Sequence, residues 1–229
     1  MHKEKSQLGH RARLRNRFEK SGLEGFSDYE VVELLLTLCI PRCDVKDQAK
    51  ALLHRFGSLK GVMDAAPSEI RQIKGVGDVA CTALKVIKAT TSLYLKEQAE
   101  GSTVLNSVDK LVDFWKSRLG GLREEVFEVA FLDSSFRLLK NGVERMQIGG
   151  VDRVVVFPRV ILRAAVEKSA AGIVLAHNHP SGELSPSDGD LKLTYSIMEG
   201  AKAIGSLRVV DHLIITEDNY FSFKKDNLL

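Results

Sequence analysis

His177, His179 and Asp190 lie in the run A-H-N-H-P-S-G-E-L-S-P-S-D-G-D (176–190), and their types and spacing are those of a metal site. The preceding Ile173-Val174-Leu175-Ala176 is uniformly apolar and reads as a short buried strand delivering both imidazoles at its carboxyl end. Side chains two apart on a strand share a face, so the two rings can converge on one ion. Pro180-Ser181-Gly182 then turns the chain. Ser185 reads as the N-cap of the next helix, with Pro186 at its first position and Asp188 as a capping-box-like acid three residues on. Asp190 falls about one turn further in, where its carboxylate can reach back to the histidines. Two His and one carboxylate leave a fourth tetrahedral position open, as in a catalytic zinc site; zinc there brings the pKa of water from about 16 to roughly 7. A histidine pair in a loop is also ordinary polar surface, and Ser-Pro-Ser-Asp is an ordinary helix start. Here strand end, turn and in-helix acid agree with one another, which favours the metal.

The elements that would position these residues come from the second half of the chain. Val126–Leu132 and Val154–Phe157 are rich in Val and Phe and read as strands, as does Phe136–Ile148, with a turn or bulge at Asn141-Gly142. Pro158–Lys168 and Pro186–Ile204 read as helices. Leu207–Thr216 and Tyr220–Phe223 read as a hairpin across residues 217–219. Strands and helices mix without regular βαβ repetition, which predicts an α+β sheet with helices packed on it.

The first half is different. From Arg11 to about Leu95 the periodicity is helical and no strand is evident. The polar stretch from Lys96 to Gly101-Ser102 reads as a linker, which divides the chain into a helical domain over 1–100 and a sheet domain over 101–229. Up to Glu100 there are 17 Lys+Arg against 13 Asp+Glu, and the excess is sharpest in His10-Arg11-Ala12-Arg13-Leu14-Arg15-Asn16-Arg17. A phosphate partner and a solvated helix face both account for that balance. Cys39, Cys43 and Cys81 are too few for a disulfide framework. As zinc ligands, with His54, they show no supporting spacing, so reduced thiols are expected. There is neither a run of roughly 20 apolar residues nor an apolar leader near Met1, so a cytoplasmic protein without a membrane span is expected.

His177-Asn178-His179-Pro180 followed by Ser187 and Asp190 resembles the JAMM motif of the MPN metalloprotease domains, and A-H-N-H-P-S-G with P-S-x-x-D is most similar to the bacterial RadC group. Phe157-Pro158-Arg159, Asp211-His212-Leu213-Ile214-Ile215 and the basic start at Gly9–Arg15 extend that resemblance over nearly the whole chain. It implies a mixed sheet of the cytidine-deaminase-like or MPN kind with flanking helices. It also implies one zinc ion per chain on His177, His179 and Asp190, and hydrolysis of a peptide or isopeptide bond. By the same resemblance Glu144, shortly before Gly149-Gly150, is the general acid/base, with Glu124, Glu125, Glu128 and Glu183 as rivals. Ser187 is the oxyanion donor. Asp211-His212 could orient a ligand from behind, or His212 could simply be a hydrogen-bonded histidine in a buried strand.

Ile73–Leu84 resembles the helix–hairpin–helix of DNA-repair proteins, with glycines at Gly75 and Gly77 that would expose backbone N–H groups to a phosphate. DNA contact through the front domain is therefore a candidate, beside a plain αα-hairpin. Two functions outside proteolysis follow from that partner: a metal-dependent nuclease, and a non-enzymatic DNA-binding or scaffold protein in repair. The protein or peptide substrate is not legible in the sequence.

Overall fold

The computed structural model describes residues 2–100, 104–146 and 156–229, with side chains described for all of these except 2–8 and 104–108. The chain forms two compact units, residues 1–89 and 90–229.

The first unit is helical: α1 (His2–Ser21), α2 (Asp28–Cys39), α3 (Lys46–Phe56), α4 (Leu59–Asp64), α5 (Pro67–Ile70) and the first half of α6 (Asp78–Ala99). Its core gathers Val32, Leu36, Ala49, Leu52, Val62, Ile70 and Leu84. The basic run on α1 is partly structural. Arg11 donates to the Thr37 and Ile40 carbonyls, satisfying orphan acceptors at the end of α2, and to the Cys43 carbonyl in the loop beyond. Arg17 pairs with Glu30 at 2.6 Å, while Arg13 and Arg15 are exposed. The Gly75–Gly77 hairpin joins α5 to α6. Gly75 has φ +88°, a left-handed backbone that favours glycine, while the atom nearest an added Cβ is the movable end of the Gln48 side chain.

The second unit is a five-stranded mixed sheet in the order β2-β1-β3-β4-β5. Its strands are β1 (Phe127–Leu132), β2 (Leu138–Arg145), β3 (Gly172–Asn178), β4 (Arg208–Ile215) and β5 (Tyr220–Ser222). Helix α7 (Val104–Leu119), which the strand-oriented reading of the sequence passes over, covers one face through Leu111, Phe114, Trp115 and Leu119. Helices α8 (Pro158–Glu167) and α9 (Asp188–Ile204) cover the other through Ile161, Ala165, Ile197 and Ala201. Strand alternation sorts the side chains between them: Val174 and Ala176 face α7, while Ile173 and Leu175 face α8 and α9. Helix α6 continues to Ala99, so the polar stretch from Lys96 is helical; Gly101-Ser102 lies outside the described residues. Of the expected strand at 154–157, Val154 and Val155 also lie outside them, and Val156-Phe157 leads into α8 without strand pairing. The bulge expected at Asn141-Gly142 is present: Asn141 adopts φ +54° and the β1–β2 register shifts between Ala130 and Leu132.

Candidate metal centre

β3 is buried along its whole length, and it ends at the site. His177 faces the α8/α9 side of the sheet, and His179 stands just beyond the strand end, its backbone N–H donating to Ile215 O at 2.9 Å. Between them Asn178 points to the other face and ties down the segment before β1. Its Oδ1 accepts from Val126 N at 2.8 Å, and its Nδ2 donates to the Leu122 and Glu124 carbonyls at 3.4 and 3.0 Å.

The helix start differs from the expectation. The N-cap of α9 is Ser187, not Ser185, and its box partner is Asp190, not Asp188. Asp190 N donates to Ser187 Oγ at 3.2 Å, while Ser187 N and Oγ donate to Asp190 Oδ2 at 2.8 and 2.7 Å. The reason is physical: with Ser187 as cap, the third helical residue is an acid that is also wanted by the histidines. Asp190 therefore does two jobs with one carboxylate.

The three groups meet. His177 Nε2 lies 2.9 Å from His179 Nε2 and 3.2 Å from Asp190 Oδ1, and His179 Nε2 lies 3.6 Å from Asp190 Oδ2. A tetrahedral ion with bonds of about 2.0–2.1 Å spaces its ligand atoms about 3.3 Å apart. One ligand atom from each residue can be taken with all three within 4.8 Å, so one such ion fits with small side-chain shifts. Among the described residues this is the sole group of three or more His, Cys, Asp or Glu side chains arranged to hold a metal, which leaves Cys39, Cys43, Cys81 and His54 without such a role. The ring of His179 is oriented from behind: its Nδ1–H donates to Glu183 O at 2.8 Å, which leaves Nε2 towards the centre. Burial pushes the Asp190 carboxyl up, yet the adjoining His177 and His179 rings and the Ser187 hydroxyl pull it down further, well below the usual carboxylate range. The Asp190 contact holds His179 above its ordinary value against the opposing effect of burial. Phe127 stacks on His177 at 5.8 Å between centroids.

His212 sits behind His177 and is wholly buried. Its Nε2 is 2.9 Å from His177 Nδ1 and its Nδ1 is 2.6 Å from Thr194 Oγ1. Burial, then the neighbouring His177, drives its pKa well down. Asp211 points away from the site, accepting from Ser222 Oγ at 2.7 Å, Lys224 N at 3.1 Å and His212 N at 2.7 Å.

Glu144 is not among the residues brought together. The register sets it opposite Val129, on the same face as His177 but two strands away, and its carboxylate pairs with Lys168 Nζ at 2.6 Å. Of its rivals, Glu128 is buried on the opposite face, bonded to Trp115 Nε1 at 3.1 Å and Arg118 Nε at 2.8 Å. Glu183 gives the ligand-orienting carbonyl, a role that residue type cannot announce because any residue supplies a carbonyl.

Residues 105–228 match the RadC-like JAB domain, and residues 6–82 match the UPF0758 N-terminal domain. The chain belongs to the RadC family. A UPF0758 protein of Fusobacterium nucleatum is 37% identical over 99% of this chain and 99% of its own length. Family members from Ruegeria pomeroyi (36% identical, 96% of this chain, 97% of theirs) and Rhodobacter capsulatus (37%, 94% and 100%) extend the likeness end to end. Among the described residues of this RadC-family chain, no helix is long and apolar enough to cross a membrane.

Proposed function

We propose that this RadC-family protein is a zinc-dependent hydrolase that cleaves a peptide or isopeptide bond. The observation that carries the reading is the convergence of one ligand atom each from His177, His179 and Asp190 within 4.8 Å of one another, with the two Nε2 atoms 2.9 Å apart, a nitrogen–nitrogen–oxygen set suited to one zinc. Zinc held there supplies Lewis-acid activation of water at neutral pH.

The rest falls to the chain's own residues. Asp190, ionised, supplies the negative charge of the ligand set, and the Ser187 N–H holds its Oδ2 in place. The Ser187 hydroxyl also donates to Oδ2, and with the amide still holding that oxygen it turns its proton to a developing oxyanion, where a donor acts on the transition state. Glu144 takes the proton from the attacking water and returns it to the leaving amine. To do so it exchanges its Lys168 partner for the substrate site, and at a half-exposed pair that exchange costs little.

The test is hydrolysis of peptide and isopeptide libraries by the zinc-loaded full chain, beside Glu144→Gln and His177→Ala/His179→Ala. Zinc near one per chain, with turnover lost in both variants, supports the reading. Zinc-dependent cleavage of DNA with inert peptides would replace it by a nuclease; stoichiometric zinc with no turnover on any substrate would leave a scaffold.

A further inference from the structure

His177 contacts its neighbours through both ring nitrogens, so the atom that carries its proton decides whether it can serve as a ligand at all. We infer that Thr194 and His212 are positioning residues that fix this proton on Nδ1 of His177, leaving the Nε2 lone pair for the metal. The inference rests on the metal-centre reading above and deepens it.

The contacts form one line: His177 Nδ1 to His212 Nε2 at 2.9 Å, His212 Nδ1 to Thr194 Oγ1 at 2.6 Å, and Thr194 Oγ1 to the Asp190 carbonyl at 2.6 Å. The last link sets the direction, because a carbonyl oxygen only accepts. The Thr194 hydroxyl therefore spends its one proton on Asp190 O and must accept from His212 Nδ1–H. A neutral His212 then has a lone pair on Nε2, which must accept from His177 Nδ1–H. In the reverse arrangement Thr194 donates to His212, His212 donates to His177, and His177 carries its proton on Nε2, pointing into the site. That arrangement leaves two oxygens 2.6 Å apart with no hydrogen between them.

The neutral form of His212 is the one its surroundings fit. The ring is fully buried, stacked on Phe223 at 4.5 Å and edge-on to Phe127 at 5.6 Å, and no carboxylate is bonded to it. The line also closes on itself. It starts at one metal ligand and ends on the backbone of another, Asp190, because Thr194 sits one helical turn after Asp190 in α9. Ligand side chain, helix and sheet are thereby held in one hydrogen-bonded ring.

The experiment uses the full chain, metal-free, with nitrogen-15-labelled histidine, and reads the tautomer of His177 by side-chain NMR in wild type, Thr194→Val and Thr194→Ser. Zinc affinity by chelator competition is measured beside it. The wild type and Thr194→Ser should show His177 protonated on Nδ1. Thr194→Val should show a shifted or mixed tautomer and about tenfold weaker zinc binding, the scale expected for loss of a group that orients a ligand. An unchanged tautomer in Thr194→Val, or a failure of Thr194→Ser to keep it, overturns the relay. So does a proton on Nε2 in the wild type, a result that needs no variant to fold. If the wild type takes up no zinc, the metal reading fails while the tautomer still judges the relay.

Discussion

Asp190→Asn is the substitution that separates the metal site from the fold. The side chain is nearly isosteric, but Asn has one oxygen where Asp190 uses two. Oδ2 receives the Ser187 N–H and hydroxyl, while Oδ1 faces His177 Nε2. If the amide oxygen of Asn turns to Ser187, its NH2 group faces the metal position and cannot ligate. If it turns to the metal, the NH2 group meets the Ser187 N–H, and the cap is lost at a cost of about 1 kcal/mol. The metal-free variant also loses the charged contacts of Asp190 with His177 and His179, so the zinc-induced rise is read in each protein against its own metal-free midpoint. Zinc at 100 times its Kd stabilises a folded protein by about 2.7 kcal/mol. For a chain of this size that amounts to a rise in melting temperature of roughly 5–10 °C. Thermal unfolding with and without zinc should show that rise in wild type and little of it in Asp190→Asn. A full zinc-induced rise in the variant would refute Asp190 as a ligand and with it the three-residue site.

Four further outcomes are expected. His179 holds its proton above the ordinary value, chiefly through Asp190, and zinc must displace it. Zinc affinity should therefore climb with pH, with proton release, through about pH 6.5 and level off only above the raised value, read by calorimetry in two buffers of different ionisation heat; an affinity flat across about pH 5.5–6.5 would contradict this. In the zinc-free protein the same contact contributes stability that is full below about pH 6.5 and is lost as pH rises through the raised value. Asn178→Leu strips the partners from Val126 N and the Leu122 and Glu124 carbonyls and should cost about 2–4 kcal/mol in urea unfolding; a cost under about 0.5 would mean the anchor is dispensable. Arg11→Ala should cost about 1–2 kcal/mol by uncapping α2, whereas Arg13→Ala should stay within about 0.5, and equal effects would show that the basic run does not divide as described.

The sequence by itself determined the parts whose signals are local. A strand of Ile, Val, Leu and Ala ending in His-Asn-His needs no distant contact to declare itself, because period-two alternation places His177 and its strand neighbours. The same holds for the helix after Ser-Pro, for the bulge at Asn141-Gly142, and for the helical character of the first half. Helix α7 was harder to read: its apolar residues sit at spacings that make sense only against the sheet face it covers.

What the tertiary structure alone decided is which side chain each ambiguous position presents. Asp211 and His212 are adjacent, and either could have served the site. The β3–β4 register pairs Ile173 with Val209 but Val174 with Asp211, so Val210 is an extra residue in β4. That one-residue bulge turns Asp211 to the α7 side and His212 towards His177. The choice between Ser185 and Ser187 as the cap was settled in the same way, by where Asp190 had to stand to meet two histidines from another strand. Local pattern fixes types and spacings; register and packing, which depend on residues far away in the chain, fix the direction each side chain points.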